Sequence, residues 1–306
     1  MKRRANGMGN AGMASEKDVV FATADGLDLK LDVYRPAQGV PSTRTAVIFL
    51  HGGGWRAGAR EAMRPDARAM ADLGFVGLPA QYRLLGQAPW PAQIHDVKAA
   101  IRWTRANAGA LGVDAERIVL WGSSAGAHLA LLAAGTPDDV RFEGEVGTVG
   151  VSSAVAAVIA VHPPTSFHVG AATVRHSTPA TSLLGEGADE DAAHAVSPLS
   201  HVGAAFPPTL LLHGTQDKVV HHGASQAMMD ALRAARASVD LHLFHGHTHG
   251  FAALPSVRPR VASEAAWFLD RTIIDKARHD AETLEFSMFA RREAEARAQS
   301  QATATA

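Results

Sequence analysis

Six short, almost wholly apolar runs recur along the chain, at residues 46–50, 75–79, 118–121, 157–161, 209–213 and 239–244, separated by longer segments. A strand that faces water on one side alternates apolar and polar residues, so a run apolar throughout has to be covered on both faces. The intervening pattern is helical. It is clearest at residues 91–107, where Ile94, Val97, Ile101 and Thr104 fall on one stripe and Pro91 takes the first turn. Further helices are expected over 60–73, 125–134, 224–237 and 257–270. Ahead of these, residues 19–23 and 27–34 read as an antiparallel hairpin closed by Asp25-Gly26, a pair that tolerates positive φ. Strands alternating with crossover helices predict an α/β fold with a mostly parallel eight-stranded sheet flanked by helices. In such sheets ligands gather at the carboxyl ends of the strands.

The chain has 306 residues, 47% of them hydrophobic, with 29 Lys+Arg against 30 Asp+Glu. That composition fills one large core and provides no broad field to attract nucleic acid or anionic lipid. Neither nucleic acid nor membrane is therefore expected as a partner, while a homodimer is compatible with the sequence. The absence of cysteine excludes disulfides, thiolate metal sites and a cysteine nucleophile. Residues 1–17 open with Met1-Lys2-Arg3-Arg4 but lack the apolar stretch of a signal peptide, which predicts a flexible tail and a cytoplasmic protein. One domain is expected over 18–280. Within it, residues 162–206 are too long for a plain connection and carry Pro163, Pro164, Gly185, Gly187 and Pro198, which predicts a small lid. Residues 281–306 turn charged and then low in complexity, which predicts a surface helix followed by disorder.

Four segments carry candidate chemistry. The run 118–121 leads into Gly122-Ser123-Ser124-Ala125-Gly126 and then into a helical stretch. A G-x-S-x-G between strand and helix is a nucleophile elbow, a turn sharp enough to project its central serine, here Ser124, although a bare match can also be an ordinary turn. His51-Gly52-Gly53-Gly54-Trp55 follows the run 46–50, and its glycines leave backbone N–H groups free to meet a developing negative charge together with that of Ala125. A flexible glycine turn is the other reading, with His51 bracing the loop. Asp217 lies on the loop after 209–213, where it could orient an imidazole or simply form a turn. His245, His247 and His249 follow 239–244, and His249 is favoured as general base because Gly250 permits a close approach. The order Ser, Asp, His is that of the α/β-hydrolase triad. The alternate histidines also admit a zinc site, but no H-E-x-x-H or comparable motif supplies further ligands, so no metal is expected.

Taken in order, His51 to Trp55, Gln81-Tyr82-Arg83-Leu84, Gly122 to Gly126, Ser197-Pro198-Leu199, His213 to Asp217 and His247 to Phe251 resemble the α/β-hydrolase superfamily. Within it they look like bacterial carboxylesterases similar to feruloyl and acetyl-xylan esterases and to the hormone-sensitive-lipase group. The likeness runs from about Val19 to Leu269 and favours the feruloyl-esterase-like branch, because only a short tail precedes Val19. It implies a serine esterase acting on short-chain or aryl esters without a cofactor, with Gly53, Gly54 and Ala125 donating to the oxyanion. Two positions depart from that branch: Ala127 stands where a second glycine is common, and His221 where a proline is. Trp55, Trp90, Phe167, Phe251 and Leu254 are candidate pocket walls for a small-molecule ester, each equally readable as core. An aryl formamidase or peptidase with the same residues, a non-catalytic binding protein of this fold and a metal-dependent hydrolase are the alternatives.

Overall fold

The computed structural model describes residues 15–137, 139–170 and 176–304. An eight-stranded sheet runs in the order β1-β2-β4-β3-β5-β6-β9-β10. Its strands are β1 (Ser15–Ala24), β2 (Leu27–Tyr34), β3 (Ala46–Leu50), β4 (Val76–Pro79), β5 (Ile118–Ser123), β6 (Ala157–Val161), β9 (Thr209–Gly214) and β10 (Val239–Phe244). A separate two-residue parallel pair comprises β7 (Phe167–His168) and β8 (Thr178–Pro179). β1 and β2 pair antiparallel around Asp25 and Gly26, at φ 50° and 77°. Two positive φ values match the twist of a two-residue hairpin, which is why Asp-Gly serves there. From β3 to β10 every pairing is parallel. All five residues of β3 and of β6 are buried, as their unbroken apolar character requires.

β3 lies between β4 and β5, so the chain moves one way to β4 and then back across to β5. Right-handed crossovers then put the first helix, Arg64–Ala71, on one face and the helices Ala92–Ala106 and Ala125–Gly135 on the other. That reversal opens a crevice at the carboxyl ends of β3 and β5. Residues 60–73 are split, with a 3-10 turn at Arg60–Met63 before the α-helix. The other expected helices correspond to Ala92–Ala106, Ala125–Gly135, Gly223–Ala234 and Arg258–Leu269. Arg83 ties the crossover to the hairpin, donating to Asp96 at 2.7 Å and to Asp25 at 2.5 Å.

The excursion between β6 and β9 holds β7, β8, the short helices Thr181–Leu184 and Glu190–Ala195 and a 3-10 turn, Pro198–His201. It is pinned from within. Ser197 Oγ accepts from Phe167 N–H at 2.8 Å and donates to Ala193 O at 2.7 Å, while Thr165 Oγ1 donates to Ala224 O at 3.0 Å.

The expected tail needs one correction. Ser15 and Glu16 pair with Tyr34 and Val33, and β1 extends through Lys17, so residues 15–17 belong to the sheet. Residues 1–14 lie outside the described residues. The chain forms two compact units, Met1–Ala265 and Ala266–Ala306, a division fifteen residues ahead of the expected 280/281 boundary, since 280 minus 265 is fifteen. The second contains a π-turn at Asp270–Ile274 and helices Lys276–Phe286 and Met288–Ala304. Helix therefore continues to Ala304, through the low-complexity stretch expected to be disordered; alanine and charged residues favour helix. Among the described residues no helix is long and apolar enough to cross a membrane.

The glycines around Ser124 set how closely β3, β5 and the following helix approach one another. A Cβ on Gly126 would run into the carbonyl oxygens of Leu50 and His51. Gly126→Ala is expected to lower stability by about 1–3 kcal/mol, the usual scale of overpacking, despite alanine's higher helix propensity. Chemical denaturation measures it; unchanged stability would show that this contact has slack.

Candidate active site

β5 ends at Ser123, and the next residue turns the chain into a helix within one step. Ser124 stands at φ 54° and ψ −117°, a conformation that costs a side-chain-bearing residue about 1–3 kcal/mol. Neighbouring strands hold it there. Ser124 N–H donates to Val161 O at 2.9 Å, and Ser124 O accepts from His128 N–H at 3.0 Å. A Cβ on Gly122 would meet the backbone of Gly126 and Ala127, so the motif's glycines are required by close contact. Ser123 Oγ lies 3.4 Å from His162 Nε2, whereas Ser124 Oγ is the hydroxyl within hydrogen-bond distance of His249.

Asp217 and His249 arrive on the loops after β9 and β10, whose parallel pairing puts both loops at one sheet edge. His249 Nδ1 donates to Asp217 Oδ2 at 2.6 Å, and its Nε2 lies 3.0 Å from Ser124 Oγ. With the proton on Nδ1, Nε2 is free to accept the serine proton. The other carboxylate oxygen accepts from Val219 N–H at 2.8 Å and Val220 N–H at 3.0 Å. Burial alone would raise the Asp217 pKa, but the bonds from His249, Val220 and Val219 outweigh it and hold the carboxyl below its ordinary value. His221, in the place of a common proline, leaves these two N–H bonds intact.

The loop after β3 passes directly beside the serine: a Cβ on Gly52 would sit 3.0 Å from Ser123 O and 3.1 Å from Ser124 Cβ. Gly53 and Gly54 have φ 122° and 60°, and their N–H groups donate to no described residue. Ala125 opens its helix, where backbone N–H groups lack intrahelical partners. His51 braces this loop, as expected: its Nδ1 is 2.7 Å from Gly52 O, its carbonyl accepts from Tyr82 OH at 2.9 Å, and its ring stacks on Tyr82 at 4.3 Å.

Ser124 and His249 open into a cavity of about 700 Å³. Of the five candidate walls only Trp55 lines it. Phe167 is buried beneath, 5.8 Å from the Trp55 ring and 5.0 Å from that of His128. Trp90 packs on Phe142 and His128, and Phe251 is buried against Phe244, His247 and His162. Leu254 is exposed outside the cavity. An aromatic residue near a motif in sequence can be placed on either side of a backbone, and here packing claims all but one.

His162, which the sequence reading passes over, lines the cavity with its ring 4.0 Å from that of His249. It has φ 42° and is buried, and its Nδ1 has no hydrogen-bond partner. Burial first, then the nearby His249 and His213, push its pKa down to about 3, so the ring stays neutral. The signal that could reveal it is positional: it is the first residue after β6, at the same sheet edge. His162, Asp217 and His249 can each present one ligand atom within 4.8 Å of the others, but both nitrogens of His249 are already engaged. The other two alternating histidines join no such group among the described residues: His245 is exposed and His247 packs on Phe251 at 5.6 Å.

Esterase LipQ of Mycobacterium tuberculosis is 31% identical over 266 residues, which are 82% of this chain and 61% of LipQ. The chain thus spans about three fifths of that relative. Thermogutta terrifontis esterase 2 with butyrate bound superposes with a TM-score of 0.73 at 30% identity, covering 85% of this chain and 95% of the other. The same enzyme phosphorylated by paraoxon gives a TM-score of 0.72 at 30% identity and the same coverage. The sheet is that of the α/β-hydrolase esterases. The BD-FAE family model matches residues 31–232, a stretch that includes the glycine loop, the elbow and the acid loop, and the chain belongs to that family.

Proposed function

We propose that the chain is a serine carboxylesterase that hydrolyses short-chain or aryl carboxylic esters through an acyl-enzyme. One observation carries this reading: a single imidazole, His249, spans the distance between a strained serine hydroxyl and a buried carboxylate. As Ser124 attacks the ester carbonyl, His249 Nε2 takes its proton, and Asp217 stabilises the imidazolium that results. The N–H groups of Gly53, Gly54 and Ala125 receive the oxyanion. The alcohol leaves with the proton from His249, and water repeats the steps on the acyl-enzyme. The paraoxon-phosphorylated neighbour supports an activated nucleophile, and the butyrate-bound one supports a short acyl group. The described part of the excursion forms part of the pocket wall, to which it contributes Pro164, Ser177 and Pro179.

Ser124→Ala is expected to lower kcat on p-nitrophenyl butyrate by about 10⁶, since the three side chains act as one unit. Retention of wild-type turnover would reject the assignment. In the wild type, a series of p-nitrophenyl esters should show kcat/KM declining beyond short acyl chains. An aryl formamide and a peptide assayed beside them test whether ester cleavage dominates.

The depressed pKa of Asp217 also links the site to stability. Its stabilisation is fully present above the ordinary value of 3.8 and is lost as pH falls through the lower folded-state value. The Tm deficit of Asp217→Asn should therefore narrow as pH drops below about 3.8. A deficit that is constant or widens on acidification would mean that the carboxylate is not stabilised by these bonds.

A further inference from the structure

The cavity lining mixes two chemistries. Pro164 and Val219 are among its apolar residues, and Arg56 and the hydroxyl residues Ser177, Thr178 and Ser182 are among its polar ones. Arg56 is the one lysine or arginine among the described lining residues, and no aspartate or glutamate lines the cavity with it. Among the described residues its guanidinium makes no ion pair. One N–H of the guanidinium donates to Ser182 O at 3.4 Å, which ties the side chain to the excursion and leaves most of its donors open. Ser177 adds a second polar group: its Oγ is buried and has no hydrogen-bond partner among the described residues. Arg56 also follows the glycine loop at once, with its own N–H on Gly53 O at 3.2 Å, so its backbone stands beside the proposed oxyanion site.

The geometry points to a carboxylate-bearing ester as the substrate class, its anionic group held by the open donors of Arg56 while Ser124 attacks the ester carbonyl. This inference rests on the esterase reading and narrows it. A planar guanidinium with open donors matches a carboxylate in shape as well as charge. No acidic side chain in the cavity competes for it or repels the ligand. His162, kept neutral by burial, adds no second cation.

The test compares matched esters that differ in one charge, with the carboxylate carried on either side of the scissile bond. On the acyl side the pair is the mono-p-nitrophenyl ester of glutaric acid against p-nitrophenyl valerate. On the alcohol side it is para-acetoxybenzoate against para-acetoxybenzamide. At low ionic strength the wild type should favour the anionic member of at least one pair by about five-fold in kcat/KM, the scale of a partly exposed ion pair. The preference should shrink as salt rises to about 0.5 M, which screens an exposed charge and needs no variant. Taken as a ratio within each variant, it should fall to about one in Arg56→Gln and below one in Arg56→Glu. A wild-type ratio of one on both pairs, or a preference that survives in Arg56→Gln, overturns the inference. The neutral esters keep the two readings apart: if they are hydrolysed without any anionic preference, only this inference fails, and if no ester is hydrolysed, the esterase reading fails first.

Discussion

The turn at Ser124 is the constraint on which the site depends. A serine at positive φ is held against its own preference by the N–H bond to Val161 and by the tight approach of Gly126 to the end of β3. Strain of this kind persists only where surrounding packing over-determines it. The strands on either side provide that packing, because β3 and β6 are buried along their whole length and cannot shift singly. The same approach that fixes the elbow also brings the Gly52 to Gly54 loop alongside the serine. One contact thus sets both the position of Ser124 and the approach of the glycine loop to it.

Electrostatics complete what packing begins. Asp217 sits out of water yet stays a carboxylate because three N–H groups converge on it, two from its own loop and one from His249. The histidines packed nearby do not compete as cations. His213 is buried with Nδ1 2.7 Å from Ser225 Oγ and Nε2 2.9 Å from Val220 O, and burial holds both its pKa and that of His162 below the ordinary value. His249 therefore stands as the group beside the serine with an ionised partner on its far side, the arrangement that favours proton uptake during attack.

Much of this architecture was legible in the chain before any coordinates. The apolar runs predict parallel strands covered on both faces, which β3 and β6 are, whereas the edge strand β10, with Asp240 and His242 alternating among its apolar residues, is only partly buried. The ends of β3, β5, β9 and β10 carry the glycine loop, Ser124, Asp217 and His249 in turn. Strand-end position is a reliable guide to function in a doubly wound sheet. It also marks His162, which no motif announces. The pocket walls were not legible. Phe167 and Phe251 are buried under the site, Trp90 packs beside it, and Leu254 lies outside the cavity, since the direction of a side chain depends on loop conformations that local composition does not encode. The polar lining was equally hidden: Arg56 and Ser182 are far apart in sequence and meet only through the excursion after β6.

The central claim is that Ser124, and not its neighbour Ser123, is the hydroxyl activated by His249. Its most direct test is the site of covalent modification by paraoxon, read by intact-mass and peptide mass spectrometry. One diethylphosphoryl group per chain on Ser124, absent from Ser124→Ala, is the predicted result. Modification at Ser123, or no modification of correctly folded protein, would contradict it.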